Sequence, residues 1–348
     1  MRDRELGKWP MPYKERLKNG EERKRKKSKY RVTNASAYNQ SLRKRGMISL
    51  YFPKGNLRKQ FINDAPYQKG ISGKLPINED AYIQLIFTFY RLFGWAMRQI
   101  TGYMEDYWRS LRLNIPIPSI GHLSDRFAKL SISVKQRCDR LAKRLANGEA
   151  VTIMIDSSGL HFGCANQWYE TKYGKKSKQT PWRKMHLAID ADMNIHQIES
   201  TDTTVSDSEG LDRVMPADMP IERVVADGAY YDIERNEKLF HAGITPVIPP
   251  PSHAVVHGTD NAIWHDKIVQ YIQDKGTVYA FHKKYGYGFR SLVEAQVFRI
   301  KRCIGETLLT QKIESQKSEG VIIANLINLW NSFGRCHCVK AQLIQQAA

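Results

Sequence analysis

Val151-Thr-Ile-Met-Ile-Asp156 is a near-continuous apolar run that ends in a carboxylate. Its β-branched residues and lack of polar alternation predict a central strand covered on both faces. The segments that follow keep a strand texture. Lys184-Met-His-Leu-Ala-Ile-Asp190 and Asn194-Ile-His-Gln-Ile-Glu199 read as two strands, joined by the hairpin composition of Asp190-Ala-Asp-Met-Asn194. A helix is expected at 207–215. Arg223-Val-Val-Ala-Asp227 is then a short apolar strand that again ends in an acid, before Gly228. A helix at 233–242, a strand at 244–248 stopped by Pro249-Pro-Pro251, and two later helices complete the order. This pattern predicts an α/β architecture: a mixed five-stranded sheet, order 3-2-1-4-5, with flanking helices. That order sets the first and fourth strands side by side. Asp156 and Asp227 then share the C-terminal strand ends, where α/β sheets gather ligands.

The chain before Val151 has another period. Residues 36–148 predict a small helical DNA-binding domain. Tyr82 to Phe93 is apolar nearly all round, as in a buried helix, and Gly94 breaks it. A second helix is expected from Ala96 to Leu111. Asn114-Ile-Pro-Ile-Pro118 is a rigid connector, and Ser119 can cap a third helix to about Leu130. A proline turn before a capped helix carrying exposed Arg126 and Lys129 is compatible with a helix-turn-helix reader of DNA. Any small helical bundle would share these features. Residues 133–147 are expected as a basic helix and 46–53 as a short strand or extended piece.

The 348 residues carry a net charge of +19, with a sequence pI near 9.6. Such a balance points to nucleic acid or an anionic membrane surface. No apolar run reaches the ~18 residues of a membrane span. Residues 1–60 hold 19 Lys/Arg against 5 Asp/Glu, centred on Arg23-Lys24-Arg25-Lys26-Lys27-Ser-Lys29. So polar a segment cannot bury enough surface to fold alone. Residues 1–35 are therefore expected to be a disordered basic arm that neutralises phosphates. The first residues, Met-Arg-Asp-Arg-Glu, lack the apolar core of a secretory signal. Five scattered cysteines, with Cys336-His-Cys338 too short to hold zinc alone, read as reduced. A cytoplasmic, nucleoid-associated protein is expected.

The remaining chemistry lies in Tyr287-Gly-Phe-Arg290-Ser-Leu-Val-Glu294-Ala-Gln-Val-Phe-Arg-Ile-Lys301. At about 100° per residue, Tyr287, Arg290, Glu294 and Lys301 fall within roughly 60° on one helix face. Val293, Val297, Ile300 and Ile304 form the adjoining core stripe. Alone, this is an ordinary amphipathic helix with an i,i+4 ion pair. Beside Asp156 and Asp227 it supplies a third acid. Three converging carboxylates repel one another unless cations intervene. Two Mg²⁺ ions, with Mn²⁺ as a substitute, would resolve the conflict and make a phosphodiester catalyst.

The spacing Tyr287-x2-Arg290-x3-Glu294-x6-Lys301 resembles the Y-R-E-K signature of bacterial insertion-sequence DDE transposases. Asp156 in Ile-Asp-Ser-Ser-Gly and Asp227 in Ala-Asp-Gly-Ala-Tyr resemble that group's two aspartate motifs. Trp182-Arg-Lys-Met-His-Leu-Ala-Ile-Asp190 and Tyr30-Arg-Val-Thr-Asn are similar to the insertion-sequence-five branch. The resemblance implies a ribonuclease-H-like catalytic domain at 149–348. It also implies binding to terminal inverted repeats, end cleavage, and strand transfer to target DNA by a homodimer or higher oligomer. Asp156, Asp227 and Glu294 take the metal-ligand roles. Tyr287, Arg290 and Lys301 would contact phosphates, with Trp182, Arg183 and Lys184 as further DNA contacts. A catalytically silent DNA-binding relative and a stand-alone nuclease are the competing readings. His186 is expected as a satisfied core or groove histidine, and Asp190 and Asp192 as turn residues. His253, His257 and His265, among turn residues, are assigned no role.

Overall fold

The computed structural model describes residues 30–64, 77–163, 172, 174 and 182–340. The basic cluster Lys24, Arg25, Lys26 and Lys27 and most of the loop at 163–181 lie outside the described residues. The described chain opens with strand β1 (Tyr30–Val32). Helices α1 (Ala35–Arg45), α2 (Leu57–Phe61), α3 (Asp80–Phe93), α4 (Met97–Ser110) and α5 (Ile120–Lys129) follow. α3 stops at Gly94, whose φ of 66° lies in the left-handed region that glycine tolerates best. Ser119 caps α5 by accepting from the His122 N–H. Buried Phe61, Tyr82, Phe87, Phe89, Trp108 and Phe127 form the core of this unit.

Two expectations fail here. Ile48–Tyr51 is a 3-10 turn, not a strand. Tyr51 donates to the Arg45 carbonyl at 2.5 Å and rests against Phe89, so the turn is pinned to helices, with no ladder to join. The basic helix is also shorter than expected: α6 spans only Asp139–Ala146. The segment before it runs extended because side-chain amides of a later helix take its backbone groups. Asn325 bonds Ser133 O and Lys135 N, and Asn328 bonds Lys135 O.

Beyond α6 come β2 (Val151–Phe162), β3 (Trp182–Asp190), β4 (Ile195–Thr201), α7 (Asp207–Val214), β5 (Ile221–Val225), α8 (Ile233–His241) and β6 (Thr245–Val247). α9 (Ile263–Lys275), α10 (Val278–Tyr285), α11 (Arg290–Cys303), β7 (Thr307–Leu308), α12 (Ile313–Phe333) and β8 (Cys338–Lys340) complete the chain. The mixed sheet runs β4-β3-β2-β5-β6, with β7 as a sixth strand paired to β2. β2 meets β3 antiparallel and β5 parallel. The sequence reading did not include β7; two residues carry too little pattern to be legible.

Alternation along the strands sorts the sheet's two faces. Val151, Ile153, Ile155 and Val224 pack with Leu141 of α6 and Leu211 and Val214 of α7. Met154, Met185, Leu187 and Val225 pack with α9, α10, α11 and α12 on the other face. α12 serves both cores: Ile322 and Leu326 enter the helical unit, while Ile323 and Ile327 face the sheet. Arg91 of α3 and Glu319 of α12, both buried, pair at 3.0 Å across the same junction. β1 pairs antiparallel with β8, so residues 30–32 belong to a two-stranded ribbon and not to a disordered arm reaching 35. Asn34 fixes that ribbon from its side chain, donating to Arg335 O and accepting from His337 N.

Candidate active site

The register of the parallel pair builds the site. Met154 stands opposite Val225, so Asp156 and Asp227, each two residues further on, come abreast. Both keep the parity of Met154 and Val225 and therefore face α11. β2 is paired on that edge up to Met154 by β5 and again from His161 by β7. Asp156 lies in the stretch between, where the edge is open. α11 leads directly into β7 and packs across β2 and β3. Its buried Val293 and Ile300 fix the rotation that turns Glu294 toward the aspartates.

A single guanidinium joins the three acids. Arg290 reaches Glu294 Oε1 at 2.7 Å, Asp227 Oδ2 at 3.2 Å and Asp156 Oδ2 at 3.9 Å. Asp156 also accepts from the Ser157 N–H, and Asp227 accepts from the Ala229 N–H at the head of a 3-10 turn. Burial pushes the Asp156 carboxyl above the usual range, against Arg290 and the Ser157 N–H, which pull it down. Burial also acts to lower the Arg290 pKa, but Tyr287 and the three acids outweigh it and hold the guanidinium above its ordinary value.

Tyr287 precedes α11 in a 3-10 turn, so the expected four-residue face starts one element early. Its ring stacks on His282 at 4.2 Å, and burial pushes its phenol up to about 12. Lys301 lies two turns beyond Glu294, about 10 Å along the axis.

The other expected DNA contacts among the described residues are half-buried and engaged with neighbouring side chains. Arg126 is half-buried and pairs with Asp80, not exposed as expected. Trp182 packs on His161 with ring centres 3.5 Å apart, over Gly159, where a Cβ would come within 2.7 Å of the indole. Arg183 bonds Gln316 at 2.6 Å, pairs with Asp202 and lies over the Phe162 ring. Lys184 bonds Val205 O at 3.0 Å and Asp207 Oδ1 at 3.2 Å.

Sequence reasoning missed the support behind Asp156. Ser157 points to the opposite face and donates to Asp207 Oδ1 at 2.7 Å. The usable signal was Ser206-Asp-Ser-Glu209, a helix start that places Asp207 in the first turn of α7. His186 is fully buried, with Nε2 at 3.1 Å from Thr201 Oγ1. Burial lowers its pKa to about 4. Its Nδ1 has no hydrogen-bond partner, so only half of the expected satisfaction is present. Gly210 of α7 lies against it, where a Cβ would approach Nδ1 to 2.1 Å. Asp190 closes the turn between β3 and β4, where it accepts from the Asn194 N–H, and is a buried partner of Asn194 and His196. His265 sits buried in α9, bonded to the Tyr231 hydroxyl and Val255 O.

Two family models match the chain, each described as a transposase DDE domain, at residues 147–311 and 43–164. The chain belongs to the DDE transposases. No solved structure matches it. The first match contains Asp156, Asp227 and Glu294; the second takes in most of the helical unit of this transposase. DDE transposases generally use divalent metal ions. The donor chemistry of the site suits them: three hard oxygen ligands already surround one cationic group. Among the described residues no three His, Cys, Asp or Glu side chains are grouped so that they could hold a metal ion. None of the described helices is long and apolar enough to cross a membrane.

Proposed function

We propose that this transposase belongs to the insertion-sequence-five branch, binds the terminal inverted repeats of a DNA element, cleaves at its ends and joins them to target DNA. A ribonuclease-H-like domain would carry the chemistry, acting within an oligomer on paired ends. The observation that carries the reading is the meeting of Asp156, Asp227 and Glu294, from three separate elements, around one cation. Asp156, Asp227 and Glu294 would hold two Mg²⁺, or Mn²⁺ in their place. When bound, the ions supply Lewis-acid activation of the attacking oxygen and charge neutralisation at the leaving one. A water or a 3′-hydroxyl attacks phosphorus, and the opposite P–O bond breaks with its electron pair passing to the departing oxygen. The chain's own residues position this exchange. Tyr287, with its phenol held neutral, donates a hydrogen bond to a phosphate oxygen. Arg290 offers a planar fork to the phosphate, and Lys301 extends the cationic track two turns along α11. The basic segment at 1–29 adds affinity without sequence preference.

The test incubates the protein with Mg²⁺ and a DNA fragment bearing the element's candidate inverted repeats. We expect cleavage at the repeat ends, at least about 100-fold lower for Asp227→Asn, while DNA binding persists. Binding without a cut under Mg²⁺ or Mn²⁺ supports a silent relative; cutting without end preference supports a general nuclease. Deleting residues 1–29 is expected to flatten the salt dependence of DNA affinity, and an unchanged slope would reject the role of the arm.

A further inference from the structure

Arg290 is less completely satisfied than its surroundings allow. One terminal nitrogen is divided between Asp227 at 3.2 Å and Asp156 at 3.9 Å, the other bonds Glu294 at 2.7 Å, and Nε is buried without a partner. One positive charge faces three carboxylates, so the cluster still favours further cations. Arg290 is also the first residue of α11, preceded by Gly286 at φ 76° and by Gly288. Glu294 lies a full turn further in, behind the buried anchors Val293 and Ile300. The long arginine side chain can therefore leave the acids by rotamer changes alone, with the helix and Glu294 in place.

We propose that Arg290 is a built-in counter-ion that competes with divalent cations for Asp156, Asp227 and Glu294, and moves onto a DNA phosphate when those cations bind. The inference rests on the reading of these acids as metal ligands. The exchange is charge-balanced. The carboxylates trade a guanidinium for divalent charge, and the guanidinium trades carboxylates for a phosphate that fits its fork equally well. Arg290 thereby keeps three mutually repelling acids gathered before the ions arrive. The same residue then serves both the resting site and the DNA complex.

The test is Mn²⁺ binding to the full chain without DNA, followed by the paramagnetic resonance signal of the free ion. The proteins compared are wild type, Arg290→Gln, Arg290→Lys, Asp227→Asn and the Arg290→Gln/Asp227→Asn double variant, each checked for folding by circular dichroism. We expect Arg290→Gln to bind about tenfold more tightly than wild type, the scale of one unit charge removed from a few ångström away. Arg290→Lys, which keeps the charge but not the fork, should fall between them. Both proteins carrying Asp227→Asn should lose the site. Equal or weaker binding by Arg290→Gln, with the Asp227 dependence intact, overturns the counter-ion role and leaves the metal-site reading standing. Mn²⁺ binding that ignores Asp227→Asn in both backgrounds overturns the metal-site reading itself.

Discussion

Two arginines of this transposase solve the same electrostatic problem in opposite ways. Arg91, on α3, is buried at the junction of the helical unit and the sheet. It donates to Glu319 at 3.0 Å and to the carbonyls of Thr307 at 2.7 Å and Gly305 at 3.4 Å. Glu319 accepts in addition from the N–H groups of Leu309 and Thr310 and from the Thr310 hydroxyl. Each carboxylate oxygen is occupied, and both side chains are 2% exposed. Arg290 instead meets three acids that are 17%, 34% and 48% exposed, although each of the two arginines has a buried Nε without a partner. The closed pair fixes architecture: it ties α3 and α12 to the segment that follows α11. The open one is assembled to be rearranged. An ion pair sealed from solvent has nothing to exchange with, whereas a shared guanidinium at a solvent-facing edge does.

Breaking the closed pair should have the largest effect. Glu319→Ala leaves a buried guanidinium without its countercharge and two backbone N–H groups without an acceptor. We expect a loss of about 3–5 kcal/mol in denaturant unfolding, the range for uncompensated buried charge. A loss below 1 kcal/mol would show that the junction is wetter than its geometry implies.

A buried histidine should come next. Burial holds the folded-state pKa of His186 at about 4, below its unfolded value near 6.5. A depressed pKa contributes stability above the unfolded value, and that contribution is lost as pH falls from about 6.5 toward 4. About 2–3 kcal/mol should disappear across this window. His186→Gln should flatten that part of the stability–pH curve, and an unaltered curve would mean that protonation is absorbed elsewhere.

The open site should respond least. Arg290→Gln is expected to cost about 1 kcal/mol without divalent ions, because its carboxylates keep part of their hydration. Millimolar Mg²⁺ should erase the deficit in the same unfolding experiment. A deficit as large as that of Glu319→Ala, and insensitive to Mg²⁺, would remove the distinction between the two arginines.

Much of the site was legible because a short range of chain specifies it. An apolar run followed by an acid brought out Asp156 and Asp227, although β2 continues past Asp156 to Phe162 and β5 stops two residues before Asp227, so Asp156 is not the strand end that was expected. The helical period of Val293, Val297, Ile300 and Ile304 likewise set the face that carries Glu294. The failures share a physical cause. Residues 133–138 look helical in isolation, but Asn325 and Asn328, nearly 200 residues away, supply hydrogen-bond partners that favour an extended course. Arg183 and Arg126 look like free cations until Asp202, Gln316 and Asp80 are brought beside them.

The sequence alone determined the basic balance, the strand-to-acid punctuation and the period of α11, all properties of neighbouring residues. Only the tertiary structure decided that α12 would serve two cores, that β7 would extend the sheet, and that one guanidinium would stand among three acids. Those outcomes depend on which distant side chains compete for the same hydrogen bonds and the same buried surface. That competition is settled when the elements pack, and no local stretch of chain records it.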